Sequence, residues 1–372
     1  MRDLRTRRRS TTALLAGLGL GLTACGSAPQ SVLNPQGPFA QGPDDLFRVV
    51  LFIALGVFII VQGLIIYAVV KFRDRGDEGL PVQVHGNTRL EIFWTLVPAL
   101  ILAGIAVPTV RQVFELAETP DDALTIEVIG HRWWWEYHYI DNGGFRTANE
   151  LVLPVDRPVH LVMTAEEPQD PSKAVIHAFW VPALAGKQDV VPGRITTLNM
   201  QADTTGSFLG QCTEYCGLSH ANMRNYATVL TQADFDAWVA AQNEPAAAPA
   251  PGTLEAEGAA LFGNFGPREG VSVQACVACH NISGANEGSR VGPDLTHLMS
   301  REKFAGAIFD LYEKNADGSY DLDRPNVELL RAWIKNAPAL KAMQPEYNVG
   351  MPNMNLTDEE VDAIVAYLLT LE

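Results

Sequence analysis

The chain has 372 residues, 43 acidic and 27 basic, for a formal net charge of −16, and 47% of its residues are hydrophobic. That length calls for two or three units, the apolar content excludes a disordered chain, and the acidic balance argues against nucleic-acid binding. Five cysteines in 372 residues are too few for a disulfide-stapled scaffold.

The N-terminus reads MRDLRTRRRS, with five arginines, followed by the apolar stretch Leu14–Ala24. Those 11 residues are too short to span a bilayer, which takes about 20. A basic leader before a short apolar run predicts a secretory signal over residues 1–24. It ends in Leu22-Thr23-Ala24-Cys25, which resembles a bacterial lipobox and implies Cys25 as a lipidated first residue of the mature chain. Cleavage there would take the net charge to −20.

An extracytoplasmic segment, 25–45, precedes two spans. Arg48 and Lys71 bracket 22 uncharged residues, and Glu91 and Arg111 bracket 19, so each run can cross a membrane. The intervening loop carries four basic residues (Lys71, Arg73, Arg75 and Arg89), whereas Gly26–Arg48 carries one. By the positive-inside rule the loop is cytoplasmic and both flanks are outside. Residues 46–112 are thus expected to form a transmembrane helix hairpin that anchors an exported body.

Over 120–240 the pattern changes to short β-type segments (LTIEVIG, WWWEYHYI, LVLPV, VHLVMTA, AVIHAFWV, RITTLNMQA, NYATVLT) separated by turn residues, which predicts an all-β sandwich or barrel. Three consecutive tryptophans cannot all point inward from a strand, so at least one is expected at a surface or an interface. His177 and the run Cys212-Thr-Glu-Tyr-Cys216-Gly-Leu-Ser-His220-Ala-Asn-Met223 offer two thiolates, two imidazoles and a thioether. This soft set favours copper, with a tetrahedral zinc as the competing assignment that leaves Met223 unexplained.

Residues 241–256 are rich in Ala and Pro and read as a semi-rigid spacer between units that fold separately. The last unit, 257–372, contains Cys276-Val-Ala-Cys279-His280, the attachment pattern of a c-type haem: two thioethers to the porphyrin and His280 under the iron. EAEGAALF predicts a first helix. LTDEEVDAIVAYLLTLE predicts a last one, opened by a Thr357–Glu360 capping box and burying Val361, Ile364, Val365, Leu368 and Leu371. An all-α class I cytochrome c follows. The sixth iron ligand should be a thioether, and the candidates are Met299, Met343, Met351 and Met354.

The phrases NTRLEIFWTLVPA, GHRWWWEYHY, KQDVVPGR and QCTEYCGLSHANM together resemble subunit II of the haem–copper cytochrome c oxidases, with a cupredoxin domain. The C-terminal cytochrome makes the chain similar to the caa-type oxidases. The resemblance implies a dinuclear CuA centre bridged by Cys212 and Cys216. His177 and Met223 would be terminal ligands on the two ions, with His220 and the Glu214 backbone carbonyl completing the set. It further implies magnesium shared with subunit I through the Glu214 side chain, electron acceptance at Trp133, a proton-pathway entrance at Glu91, and Met351 of the GMPNMNLTDEE phrase as the axial thioether. Implied partners are subunit I with the other oxidase subunits and an external donor, cytochrome c or a similar redox protein. The implied location is the bacterial inner membrane. Electrons would run from donor to haem c, to CuA, to subunit I, where oxygen is reduced with proton pumping.

Two other classes fit less well. A CuA-bearing reductase needs a second, histidine-rich copper cluster, and eight scattered histidines do not supply one. A quinol oxidase subunit would lack both the copper ligands and the haem motif.

Overall fold

The computed structural model describes residues 29–73, 83, 85–167, 170–271, 273–344, 347 and 349–372. The expected signal segment, Cys25 and Arg75 lie outside the described residues.

Among the described residues, helices α1 (Pro38–Lys71) and α2 (Thr88–Ala117) are the two long and apolar enough to cross a membrane. Side chains such as Phe58, Ile60, Ile66, Phe93 and Leu100 are exposed in the isolated chain. A helix apolar all round needs lipid or other spans against it. At 34 residues α1 is about 50 Å long, well beyond a hydrocarbon core of about 30 Å, so its end projects. The projecting ends seat the β domain: Asn199 Nδ2 donates to the carbonyls of Leu116 (3.1 Å) and Glu118 (2.9 Å), and Gln36 N–H to Ala183 (2.7 Å).

The strands are β1 (Leu124–His131), β2 (Trp134–His138), β3 (Arg146–Ala148), β4 (Glu150–Pro154), β5 (Val159–Ala165), β6 (His177–Phe179), β7 (Gln188–Val190), β8 (Thr196–Met200), β9 (Gly206–Gln211) and β10 (Arg224–Leu230). One sheet runs β3-β2-β1-β5-β8, with β1 and β5 parallel; the second runs β4-β10-β9; β6 and β7 form a separate ribbon. Alternate residues of both sheets, among them Trp135, Tyr137, Leu161 and Val229, meet in one buried core. Helix α3 (Gln232–Gln242) closes the domain, with Thr231 accepting the Asp234 N–H at 3.2 Å as its N-cap.

All three tryptophans are buried, Trp134 by stacking on His131 with centroids 4.4 Å apart. Trp133 escapes the strand alternation because it sits in the turn between β1 and β2 and is covered by the C-terminal unit. It is the tryptophan at an interface.

The C-terminal unit packs α4 (Leu254–Gly263), α5 (Val327–Leu340) and α6 (Asp358–Leu368) around its own core. The capping box forms as read from the sequence: Glu360 N–H on Thr357 Oγ1 (3.3 Å) and Thr357 N–H on Glu360 Oε2 (2.8 Å). All five apolar positions expected on the last helix are buried. The unit also carries two hairpins that the sequence reading did not anticipate, β11 (Lys303–Phe304) with β12 (Phe309–Asp310) and β13 (Tyr312–Lys314) with β14 (Tyr320–Pro325).

The spacer differs from expectation. Helix α4 begins inside it at Leu254, because Thr253 accepts the Ala256 N–H (3.3 Å). Its first half lies along the cytochrome unit, with Ala246 N–H on the Ser283 carbonyl (2.9 Å) and the Glu244 carbonyl 3.0 Å from His297 Nε2. The two units keep largely separate cores, although Val349 of the C-terminal unit packs into the core of the β domain, and they share a face. Across it, Arg224 N–H donates to the Gly306 carbonyl (3.0 Å), Glu302 N–H to Tyr226 Oη (3.2 Å), and the Ser219 hydroxyl to the Ala342 carbonyl.

Candidate metal and haem sites

The segment from Cys212 to Met223 joins β9 to β10 and folds back on itself, closed by the Cys212 N–H on the Met223 carbonyl (2.9 Å). That return makes a local sequence present donors from several directions. Cys212 Sγ lies 3.9 Å from Cys216 Sγ, 3.9 Å from His177 Nδ1 and 3.3 Å from the Glu214 carbonyl. Cys216 Sγ lies 3.5 Å from His220 Nδ1 and 3.8 Å from Met223 Sδ. His177 arrives from the separate β6–β7 ribbon, so the site forms only once that ribbon is packed. The cysteines, His177 and Met223 are buried.

This donor set suits a soft metal pair: two central sulfurs, one nitrogen and a carbonyl beside one, one nitrogen and a thioether beside the other. Between the two thiols, proximity holds Cys212 well below the usual thiol range and pushes Cys216 above it, because one thiolate stabilised by the other thiol opposes a second ionisation. A cation between them would supply the charge that ionises both.

Gly217, at φ +112°, continues the loop beneath Trp133, where a Cβ would come within 3.2 Å of the indole. The Trp133 indole N–H donates to the Cys216 carbonyl at 2.9 Å. The Glu214 carboxylate accepts the Tyr215 N–H (3.1 Å) at the outer edge of the loop, beside the exposed Tyr215. Glu91 sits in the first turn of α2, far along the chain from these groups, with Asn87 as the N-cap.

In the cytochrome unit, a 3-10 turn over Cys276–Ala278 puts His280 N–H on the Cys276 carbonyl (2.9 Å). His280 Nδ1 is 2.8 Å from the Pro293 carbonyl, which can only accept, so Nδ1 carries the proton and Nε2 keeps its lone pair. Burial holds this imidazole below its ordinary pKa, favouring the neutral ligand form. Cys276, Cys279 and His280 line a cavity of about 180 Å³ together with Met343, Met351 and Met354. Met299 does not line it; its backbone is tied to Leu371 and its side chain belongs to the core. The residues therefore fit a covalent haem with a neutral imidazole on one side and a choice of thioethers on the other.

The same cavity reaches Trp133 and Lys341. Lys341 was not singled out from the sequence, where it is one lysine in a helix end. Its buried Nζ donates to the Trp133 carbonyl (2.8 Å) and the Ala305 carbonyl (3.0 Å), and burial pushes its pKa down to about 7 against a raising influence from Cys216. A second group missed in the sequence is Glu150, buried on β4. It accepts from Thr228 Oγ1 (2.6 Å), and burial pushes its pKa up to about 7.

Three family models match: cytochrome c oxidase subunit II, transmembrane domain, over residues 31–111; its periplasmic domain over 143–229; and cytochrome c over 255–372. The subunit II family implies CuA, and the cytochrome c domain implies haem c. The chain is 34% identical over 366 residues to cytochrome c oxidase subunit 2 of Alkalihalophilus pseudofirmus, covering 96% of both chains. It is 29% identical over 379 residues to the subunit 2 of Bacillus subtilis, again covering 96% of both. Among solved structures, the periplasmic domain of subunit II from Bradyrhizobium japonicum matches at 34% identity, over 34% of this chain and 96% of that one, with a TM-score of 0.31. Two spanning helices and the periplasmic match make this a membrane protein with its C-terminal region outside the cytoplasm. With relatives aligned along nearly its full length, the chain belongs to the cytochrome c oxidase subunit II family and is a subunit of that enzyme carrying a cytochrome c domain at its C-terminus.

Proposed function

We propose that this subunit relays electrons from an external donor through haem c and CuA to subunit I. When bound, the haem and the copper pair each supply a one-electron carrier, and oxygen reduction with proton pumping belongs to subunit I. The observation that carries the proposal is the position of Trp133. Its indole N–H is hydrogen-bonded to the peptide of Cys216, and the same residue lines the cavity that holds His280. One residue thus touches the copper loop and the haem cavity.

The residues take these parts. Cys276 and Cys279 would hold the porphyrin, and His280 through Nε2 and Met351 through its thioether would ligate the iron. Cys212, Cys216, His177, His220, Met223 and the Glu214 carbonyl would hold the copper pair, and the packing around the buried ones would limit rearrangement on redox change. The Glu214 carboxylate, which accepts the Tyr215 N–H at the outer edge of the loop, would be the group to bind a magnesium ion shared with subunit I. Glu91 opens a proton path at the cytoplasmic end of α2. The domain limits are 46–112, 120–240 and 257–372, with the spacer docked between the last two.

Residues 252–372 hold 18 acidic and 9 basic side chains, which favours a basic donor such as a small cytochrome. The membrane is the bacterial inner membrane, reached through a signal at 1–24, with lipid on Cys25. The deciding experiment is metal analysis with EPR and optical spectra of the full chain produced without subunit I. Two coppers per chain with a delocalised mixed-valence signal, plus one covalent haem, are expected; a stoichiometric zinc or a single blue copper would sink the assignment.

A further inference from the structure

We infer that Lys341 is a positioning residue, an interdomain latch that holds the cytochrome unit against the turn bearing Trp133. This deepens the electron relay proposed above and rests on it. Lys341 follows the last turn of α5, beyond a break in the helix at Asn336, and its side chain crosses the boundary between the two units. One carbonyl it binds, Ala305, belongs to the cytochrome unit; the other, Trp133, belongs to the cupredoxin. Among the described residues no carboxylate lies at ion-pair distance from it. Desolvating an ammonium to satisfy two neutral carbonyls is a costly way to fill space, so its value lies in what the two carbonyls hold together.

The surroundings of Lys341 are built for that contact. Gly306 is at φ +82°, and a Cβ there would lie 2.5 Å from Lys341 Nζ, 2.8 Å from the Asn222 carbonyl oxygen and 3.1 Å from the Trp133 carbonyl oxygen. Only glycine lets the loop of the cytochrome unit approach so closely. The Gly306 carbonyl accepts the Arg224 N–H (3.0 Å), one residue beyond Met223 of the copper loop. The next residue after Lys341, Ala342, accepts the Ser219 hydroxyl from that same loop. The cupredoxin partners of this patch lie in the Trp133 turn, in the segment that carries the copper donors, or, for Arg224, immediately after it.

The latch therefore acts on geometry. Electron transfer from ferrous haem to oxidised copper moves one electron, leaves ferric haem and reduced copper, and makes or breaks no bond. Its rate depends on how closely and how constantly the two carriers are held. A docked cytochrome unit keeps the haem cavity fixed at Trp133, whereas an undocked one would meet it only intermittently through the tether.

The test uses the assembled, detergent-solubilised oxidase with Lys341→Met, which keeps the length and packing of the side chain and removes the ammonium. Hydrogen exchange at the Arg224 amide reads docking, and flash-initiated oxidation of the haem reads transfer. Haem and copper spectra should match the wild type, while Arg224 exchanges about tenfold faster and transfer slows by about tenfold. Gly306→Ala should give the same pair of effects from the other side, and the double variant should be no worse than either single one, as expected for one shared contact. Unchanged Arg224 exchange in both variants, or faster exchange with unchanged transfer, would overturn the latch alone. Missing copper or haem signals in the wild type would instead overturn the relay on which it rests.

Discussion

Trp133 and Cys216, 83 residues apart, are joined by a 2.9 Å hydrogen bond from the indole N–H to the backbone carbonyl. The bond ties the turn between β1 and β2 to the loop that presents five of the six proposed copper donors. It also accounts for an indole at this position, since a phenyl ring could fill much of the space but could not donate.

Trp133→Phe should leave the buried Cys216 carbonyl without this donor at a cost of about 1–3 kcal/mol. Haem-to-copper transfer should slow by about tenfold with the haem spectrum unchanged. Flash-initiated kinetics on the purified oxidase would show it, and a wild-type rate would remove Trp133 from the path.

Cys216→Ser should abolish the delocalised copper signal while haem c stays covalently bound and reducible, because Cys276, Cys279 and His280 lie outside the β-domain core, which takes only Val349 from the C-terminal unit. EPR and reduced-minus-oxidised difference spectra of the full chain check both halves. Loss of the haem along with the copper signal would mean that the two sites do not assemble independently.

Met351→His should lower the haem potential, since thioether ligation raises it relative to two imidazoles. Met354 also faces the cavity but is buried in the core, so Met354→Ala should destabilise the unit by about 2–5 kcal/mol. Redox titration with thermal unfolding separates the roles. If Met354→His rather than Met351→His changes the haem spectrum, the axial assignment moves to Met354.

Glu150 gives a pH dependence whose sign follows from its raised pKa. An unfolded glutamate ionises near its ordinary value of 4.5, whereas the folded group holds its proton up to about 7. Between those values the folded chain binds the extra proton, so stability falls as pH rises, by about 3 kcal/mol over the window. Glu302 raises this pKa, and Thr228, Tyr226 and Arg301 lower it. Denaturant unfolding at pH 5 and pH 7.5 should show the loss in the wild type and a flatter profile in Glu150→Gln. Equal slopes would assign the dependence elsewhere.

Mass spectrometry of the mature subunit should find an N-terminus at Cys25 carrying acyl chains. The two spans would still hold a Cys25→Ala variant in the membrane, so assembly should suffer more than localisation. An intact Met1, or cleavage elsewhere with a free thiol, would reject lipidation.

Much of this protein is written locally. The CVACH pentapeptide, the QCTEYCGLSHANM loop, the capping box at Thr357 and the apolar stripe of α6 are legible because each depends on spacings of a few residues, which short-range backbone geometry converts directly into structure. Hydropathy likewise determines the two spans. Tertiary packing decided the rest. It brings His177 to 3.9 Å from Cys212 across 35 residues and Lys341 to 2.8 Å from the Trp133 carbonyl across 208. It also lays the Ala/Pro spacer along the cytochrome unit instead of leaving it free. Even the hairpin around Asp317-Gly318 had a visible turn signal but no long apolar alternation to announce its strands. These contacts depend on which buried groups find one another once the cores have closed. A single lysine between Leu340 and Ala342 carries no local mark of the two carbonyls waiting for it.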